Sequence, residues 1–284
     1  MKTVALAALL SSLALAAAAQ TCAPPPHLQD EADRARIQQL AIALLPCLAQ
    51  PDPKLRDDVA FEQLSAWSRG GQLDATTLQR LREALVGVLD GKPDAAGVHQ
   101  PFAVLTLAEV ARVDRLQPFM TAEQRADLVD HAARFLGGVR DYRGFIPGEG
   151  WRHGVAHGAD LALQLGMNDA LSTAQRQQLL SAVTRQVLAD HQHAYHFGEG
   201  NRLARAALQL QLRLNPDEAA IRAWLDGLLQ PLKQAQAWDE AALTDLHNLR
   251  EFLWPLLAGV LDVADVTRRE RLQLPLQKVL RQLP

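Results

Sequence analysis

The chain has 284 residues, 48% hydrophobic and 21% charged, with a formal net charge of −3. That balance supplies ample material for a core. It gives no electrostatic reason to expect nucleic acid or an anionic membrane surface as partner.

The N-terminus reads as a targeting segment. Lys2 supplies a positive start, Val4 to Ala16 an apolar stretch too short to span a bilayer comfortably, and Ala17-Ala18-Ala19 small residues before a cut ahead of Gln20. Residues 1–19 are therefore expected to be a signal peptide and 20–284 one helical domain, placing the mature protein in the periplasm or outside the cell. A lipoprotein reading would acylate Cys22, but Ala19-Gln20-Thr21 lacks the small, apolar run expected before such a cysteine. No later stretch is long and apolar enough to span a membrane. Cys22 and Cys47 form an even pair in an exported chain, which predicts a disulfide closing a loop of about 25 residues. The alternative is a zinc pair, although no CxxC spacing exists.

After the extended Ala23-Pro24-Pro25-Pro26, helical periodicity sets in. Ile37, Leu40, Ala41, Leu44, Leu45 and Leu48 mark a helix over about 30–49, and Pro51-Asp52-Pro53 breaks it. Further helices are expected over about 55–69, 74–89, 100–113, 121–137, 151–165, 172–190, 199–214, 217–229, 239–262 and 265–281. Thr121 and Ser172 have the character of N-caps. Convincing strand alternation is missing throughout. The expected fold is all-α, built of stacked antiparallel helix pairs in a HEAT-like superhelix, with a closed α/α barrel as the alternative.

The densest chemistry lies at 141–160, DYRGFIPGEGWRHGVAHGAD. A helix read from Trp151 puts His153, His157 and Asp160 at i, i+4 and i+7 on one face, with Gln164 extending the stripe. Val155, Ala156, Ala159, Leu161, Ala162, Leu163 and Leu165 cover the other faces, so the helix is expected to be buried and its polar stripe to need partners. Three readings stay open. The stripe is a structural hydrogen-bond network, a site for an organic or anionic ligand, or a divalent-metal site made by His153, His157 and Asp160. The stripe lacks the glutamate of HExxH metalloproteases.

Asp141 and Arg143 precede this helix. Arg143 is expected either to pair with Asp141 or Asp160, or to grip an anionic ligand bidentately. Glu199 and Arg202 open a later helix one turn apart. Glu199 is a candidate fourth ligand or general base, or else an acid favouring its own helix N-terminus and paired with Arg202. His191, His193 and His196 fall in the loop before it and read as solvated. Trp151 either walls a pocket or packs in the core. Gly154 and Gly158, four residues apart, predict close helix packing or room for a ligand. Nucleophile motifs, phosphate-cradling loops and nucleotide fingerprints do not occur.

Four stretches together resemble a bacterial family known as domain of unknown function 2785: PKLRDDVAFEQLSAW at 53–67, QPFAVLTLAEV at 100–110, RDYRGFIPGEGWRHGVAHGADLALQL at 140–165 and EGNRLARA at 199–206. The family's motif residues fall on Leu55-Arg56-Asp57, on Asp141, Arg143, Gly144, Trp151, His153, His157 and Asp160, and on Glu199 and Arg202. The resemblance covers most of 50–255. It departs at Gln100, where the family run has an arginine, and at Val139, where it has an acidic residue. It implies an all-α fold and no particular activity.

The expectation is thus an exported, soluble helical-repeat protein with a central polar groove of Asp141, Arg143, His153, His157, Asp160, Glu199 and Arg202. Its role would be binding a small-molecule or peptide ligand, or acting as a scaffold. The rival is a metal-dependent hydrolase in which His153, His157 and Asp160 hold the ion and Glu199 or Arg143 assists.

Overall fold

The computed structural model describes residues 22–284 apart from Gln192 and Gln236. The leader expected over residues 1–19 lies outside them. Eleven α-helices follow one another among the described residues. They are α1 (Arg34–Ala43), α2 (Glu62–Arg69), α3 (Ala75–Asp90), α4 (His99–Leu116), α5 (Ala122–Gly138), α6 (Gly154–Gly166), α7 (Thr173–Gln186), α8 (Glu199–Leu214), α9 (Glu218–Gln234), α10 (Glu240–Leu261) and α11 (Val266–Leu280). None of the described helices is long and apolar enough to cross a membrane.

The helices stack as antiparallel pairs. Even-numbered α2, α4, α6, α8 and α10 pack in sequence as one row, while α1, α3, α5 and α7 form a second row across from them and α9 packs with α11. Pairing across the rows joins α3 to α4, α5 to α6, α7 to α8 and α9 to α10. Among the described residues no substantial packing joins the first pair to the last, so the pairs form an open stack rather than the closed barrel.

Local chemistry sets the helix ends. Thr121 with Gln124 and Ser172 with Gln175 form reciprocal capping boxes. Asp33, Asp74, Asp217, Asp239 and Asp265 each accept backbone N–H bonds at the start of a helix. Cys22 and Cys47 are joined by a disulfide, with Cα atoms 4.8 Å apart.

Several boundaries differ from the periodicity; α7 stops at Gln186 and α9 runs on to Gln234, and three further differences lie near the site or the disulfide. The first helix stops at Ala43 and tightens into a 3-10 turn at Leu45–Ala49, where Pro46 cannot donate a helical bond. The second starts as a π-helix, Lys54–Phe61, before α2. The central helix starts at Gly154 rather than Trp151, because Phe145–Ile146 and Gly150–Trp151 pair as a small antiparallel hairpin around the Pro147-Gly148 turn.

Candidate functional site

The hairpin is seated on a buried arginine. Arg56 is fully buried, and its guanidinium donates to the carbonyls of Gln50 (2.9 Å), Pro51 (3.0 Å) and Glu149 (3.0 Å). It also pairs with Asp57 at 2.7 Å and lies 4.7 Å from the centre of the Phe102 ring. A Cβ on Gly150 would sit 2.7 Å from Pro53 and 2.8 Å from Arg56 Nη2, and its φ is +78°. Only glycine lets the hairpin close this tightly. Leu55-Arg56-Asp57, prominent in the sequence only through the family resemblance, thus ties residues 50–57 to the segment leading into α6.

The hairpin delivers His153 in an unexpected pose. Its φ of +55° is left-handed, and it stands as the residue before the helix rather than in its first turn. Its backbone N–H donates to Arg143 O at 3.0 Å. The imidazole stacks on Trp151 at 4.7 Å and meets the His157 ring edge-to-face at 5.6 Å. Its Nε2 lies 3.5 Å from Glu199 Oε1. That contact is electrostatic rather than a well-formed hydrogen bond, and both atoms are buried without another protein partner. Glu199 is only 2% exposed. Burial pushes its carboxyl up, but His153 and the N–H groups of Glu199 and Phe197 outweigh that and hold it below its ordinary value.

His157 faces the carbonyl of Pro101 through Nδ1 at 3.1 Å, so Nδ1 carries the proton and donates. The Phe102 ring lies edge-on at 5.4 Å. Burial, reinforced by the neighbouring His153, holds the His157 pKa well below the ordinary histidine value, and the ring is neutral at pH 7. Asp160 forms an ion pair with Arg202. Burial raises the Asp160 pKa, against the pull of Arg202 and Arg205. Gln164 accepts from Arg115 at 3.2 and 3.3 Å. The structure therefore brings His153, His157, Asp160, Glu199 and Arg202 together along α6 and the start of α8.

The metal set expected of His153, His157 and Asp160 does not assemble. Arg202 occupies the Asp160 carboxylate, and a guanidinium there repels a cation. Among the described residues no group of three or more His, Cys, Asp or Glu side chains is placed to hold an ion.

The side chains of Asp141 and Arg143 pair with each other rather than with the stripe. Arg143 grips Asp141 through Nε (2.8 Å) and Nη2 (2.5 Å), and Nη2 reaches Ala96 O at 3.3 Å. The pair is half-exposed and closes over Gly97, where a Cβ would come within 2.6 Å of both side chains. Trp151 contacts Phe145 and Phe197 as well as His153 and forms a wall beside the stripe.

Open room lies on another side of the α6 start. A cleft of about 540 Å³ runs between the end of α3, residues 93–101, the second half of α5 and residues Arg152 and Gly154. Its walls combine apolar Leu89, Pro93, Pro101, Phe135 and Val139 with charged groups. The two central glycines divide here. Gly158 is packed so closely that a Cβ would lie 2.9 Å from Leu136, whereas Gly154 lines the cleft with nothing nearer than 3.7 Å.

Arg152, His131 and Asp94 in this cleft were not singled out by sequence spacing. Arg152 stands between Trp151 and His153, and only the hairpin turns it toward Ala96 O (3.1 Å) and Glu149 (2.5 Å). Asp94 accepts from the N–H groups of Val98 and His99, which overcome burial and lower its pKa. His131 lies between Asp127 O (2.8 Å) and Asp90 (3.0 Å).

Fold and site define a class: an open stack of helix pairs with a polar stripe and a cleft at the start of its central helix. A family model described as "Protein of unknown function (DUF2785)" matches residues 87–257, more than half of the chain, and the protein belongs to that family. The match takes in the cleft and the stripe, while Leu55-Arg56-Asp57 lies before it. No curated protein and no solved structure matches the chain.

Proposed function

We propose that this is an exported ligand-binding protein that takes a small molecule into the cleft between α3, α5 and the start of α6. The observation that carries the reading is the cleft itself. Its volume lies within the range of small-molecule sites, and it joins an apolar wall to a few convergent polar groups. The stripe supports the cleft from behind: His157 holds Pro101, which lines the cleft, and Gly154 opens α6 onto it. The leader-like first residues and the Cys22–Cys47 disulfide favour an oxidising compartment outside the cytoplasm.

Gly138 supplies the test. It lines the cleft at the end of α5, and a Cβ there meets nothing within 4 Å. Gly138→Trp should fill the cleft without disturbing the core. In a thermal-shift screen of a metabolite library, cleft ligands should raise the Tm of the wild type and leave Gly138→Trp unmoved. Ligands that stabilise both proteins equally, or a library without a hit, would count against the reading.

A further inference from the structure

The charges of the cleft are paired, but its donors are not all answered. Its three aspartates are each answered: Asp90 by His131 and Arg134, Asp94 by the N–H groups of Val98 and His99, Asp141 by Arg143. Of its arginines, Arg134 faces Asp90 and Arg140 faces Asp190. Arg152 is different. It is 4% exposed, with Nε on Ala96 O and Nη2 on Glu149, while its buried Nη1 has no protein partner. A buried guanidinium N–H without an acceptor is costly.

A second unanswered group adjoins it. Helix α6 begins at Gly154, which lines the same cleft, and no side chain caps that end. Its first turn contains no acidic residue. The N–H groups of such an end carry partial positive charge and favour an anion. Glu149 already shows what the guanidinium prefers, since its carboxylate takes Nη2 from a half-exposed position. It is a local stand-in that a ligand can displace.

The geometry points to an anionic oxygen group, carboxylate or phosphate, as the part of the ligand read in this cleft, held by Arg152 and the uncapped N-terminus of α6. The incoming anion displaces the Glu149 carboxylate, takes two guanidinium N–H groups including Nη1, and accepts from the first N–H groups of α6. Arg152 is the specificity-determining residue, and the apolar wall of Leu89, Phe135 and Val139 takes the ligand's remainder. This inference rests on the ligand-binding reading above and narrows it.

The test is an amide NMR titration of the mature chain with inorganic phosphate and, separately, acetate, at ionic strength held constant with chloride. Saturable shifts of the Gly154, Val155 and Ala156 amides are expected, and the tighter of the two anions names the group. Glu149→Gln removes the exposed competitor, so it should tighten binding about threefold or more, while Arg152→Gln should weaken it about tenfold, the worth of a charge-assisted hydrogen bond. Because Arg152 is buried, its variant is at risk of misfolding; the exposed Glu149 variant carries the test alone in that case. Shifts that grow linearly with both anions and ignore Glu149→Gln would overturn the inference. A neutral-fragment arm separates the two readings. Neutral fragments that move the cleft amides while neither anion does would sink the anion inference and leave ligand binding standing. No response to either probe would sink both.

Discussion

The polar stripe and the cleft share one helix and solve opposite problems. Along the stripe most side chains answer one another: His157 donates to Pro101, Asp160 pairs with Arg202 and Gln164 accepts from Arg115, while Glu199 and His153 meet only at 3.5 Å in a sealed position. In the cleft the aspartates are satisfied, but Arg152 Nη1 and the start of α6 are left over. Density of polar residues in the chain marks where polar groups are buried. Room beside an unanswered donor marks where a ligand fits, and that room opens at Arg152 and Gly154 rather than along the stripe. The stripe is best understood as the support that fixes His153, Pro101 and the start of α6 in place.

The comparison can be broken first at its foundation. Arg56 is sealed beneath the hairpin that leads to both regions. Arg56→Met should cost about 3–5 kcal/mol, because three carbonyls and Asp57 lose their partner at once. Urea unfolding would show it, and a variant within about 0.5 kcal/mol of wild type would mean the hairpin is held by other contacts.

The stripe itself is next. His157→Leu removes the donor to Pro101 and should lower stability by about 1–3 kcal/mol at pH 7.5. Its pH dependence has a definite sign. His157 stays neutral in the fold, whereas the unfolded chain takes up a proton below its ordinary value of 6.5. The wild-type contribution is therefore complete above pH 6.5 and is lost as the pH falls below it, at up to about 1.4 kcal/mol per pH unit. The gap between wild type and His157→Leu should narrow between pH 7.5 and 5. A gap that widens on acidification would contradict a neutral, sealed histidine.

Glycines sharpen the contrast, since the same substitution lands on opposite sides. Gly200→Ala would put a Cβ 2.5 Å from the backbone oxygen of Glu251, and Gly158→Ala would press on Leu136; each should cost about 1–3 kcal/mol. Gly138→Ala meets open space and should stay within about 0.5 kcal/mol of wild type. Equal costs at the three sites would erase the distinction between closed packing and open cleft. The smallest effect belongs to the rim. Asp141 and Arg143 are paired but half-exposed, and Arg143→Ala should change stability by less than about 1 kcal/mol. A larger loss would show that the pair, rather than the hairpin, holds the loop over Gly97.

Much of the frame was readable in the chain because it is written locally. Apolar spacing and the caps at Thr121 and Ser172 need only neighbouring residues, and the spacing of Glu199 and Arg202 marked the helix start that meets the stripe. What periodicity missed depends on contacts distant in sequence. Trp151 to His153 look helical, but pairing of Gly150–Trp151 with Phe145–Ile146 and the seat on Arg56 hold them outside the helix. The cleft was illegible for the same reason, since its walls come from four separate stretches between Leu89 and Gly154. Asp141 and Arg143, credited to a shared groove, satisfy each other two residues apart.

The most direct measurement is a crystallographic fragment soak of the wild-type protein with small carboxylates, phosphates and neutral rings. The account predicts ligand density between α3, α5 and the start of α6, touching Arg152 or Gly154, with the ring planes of His153 and His157 unchanged. Ligand density seated between His153 and Glu199, with the cleft vacant in every soak, would contradict it.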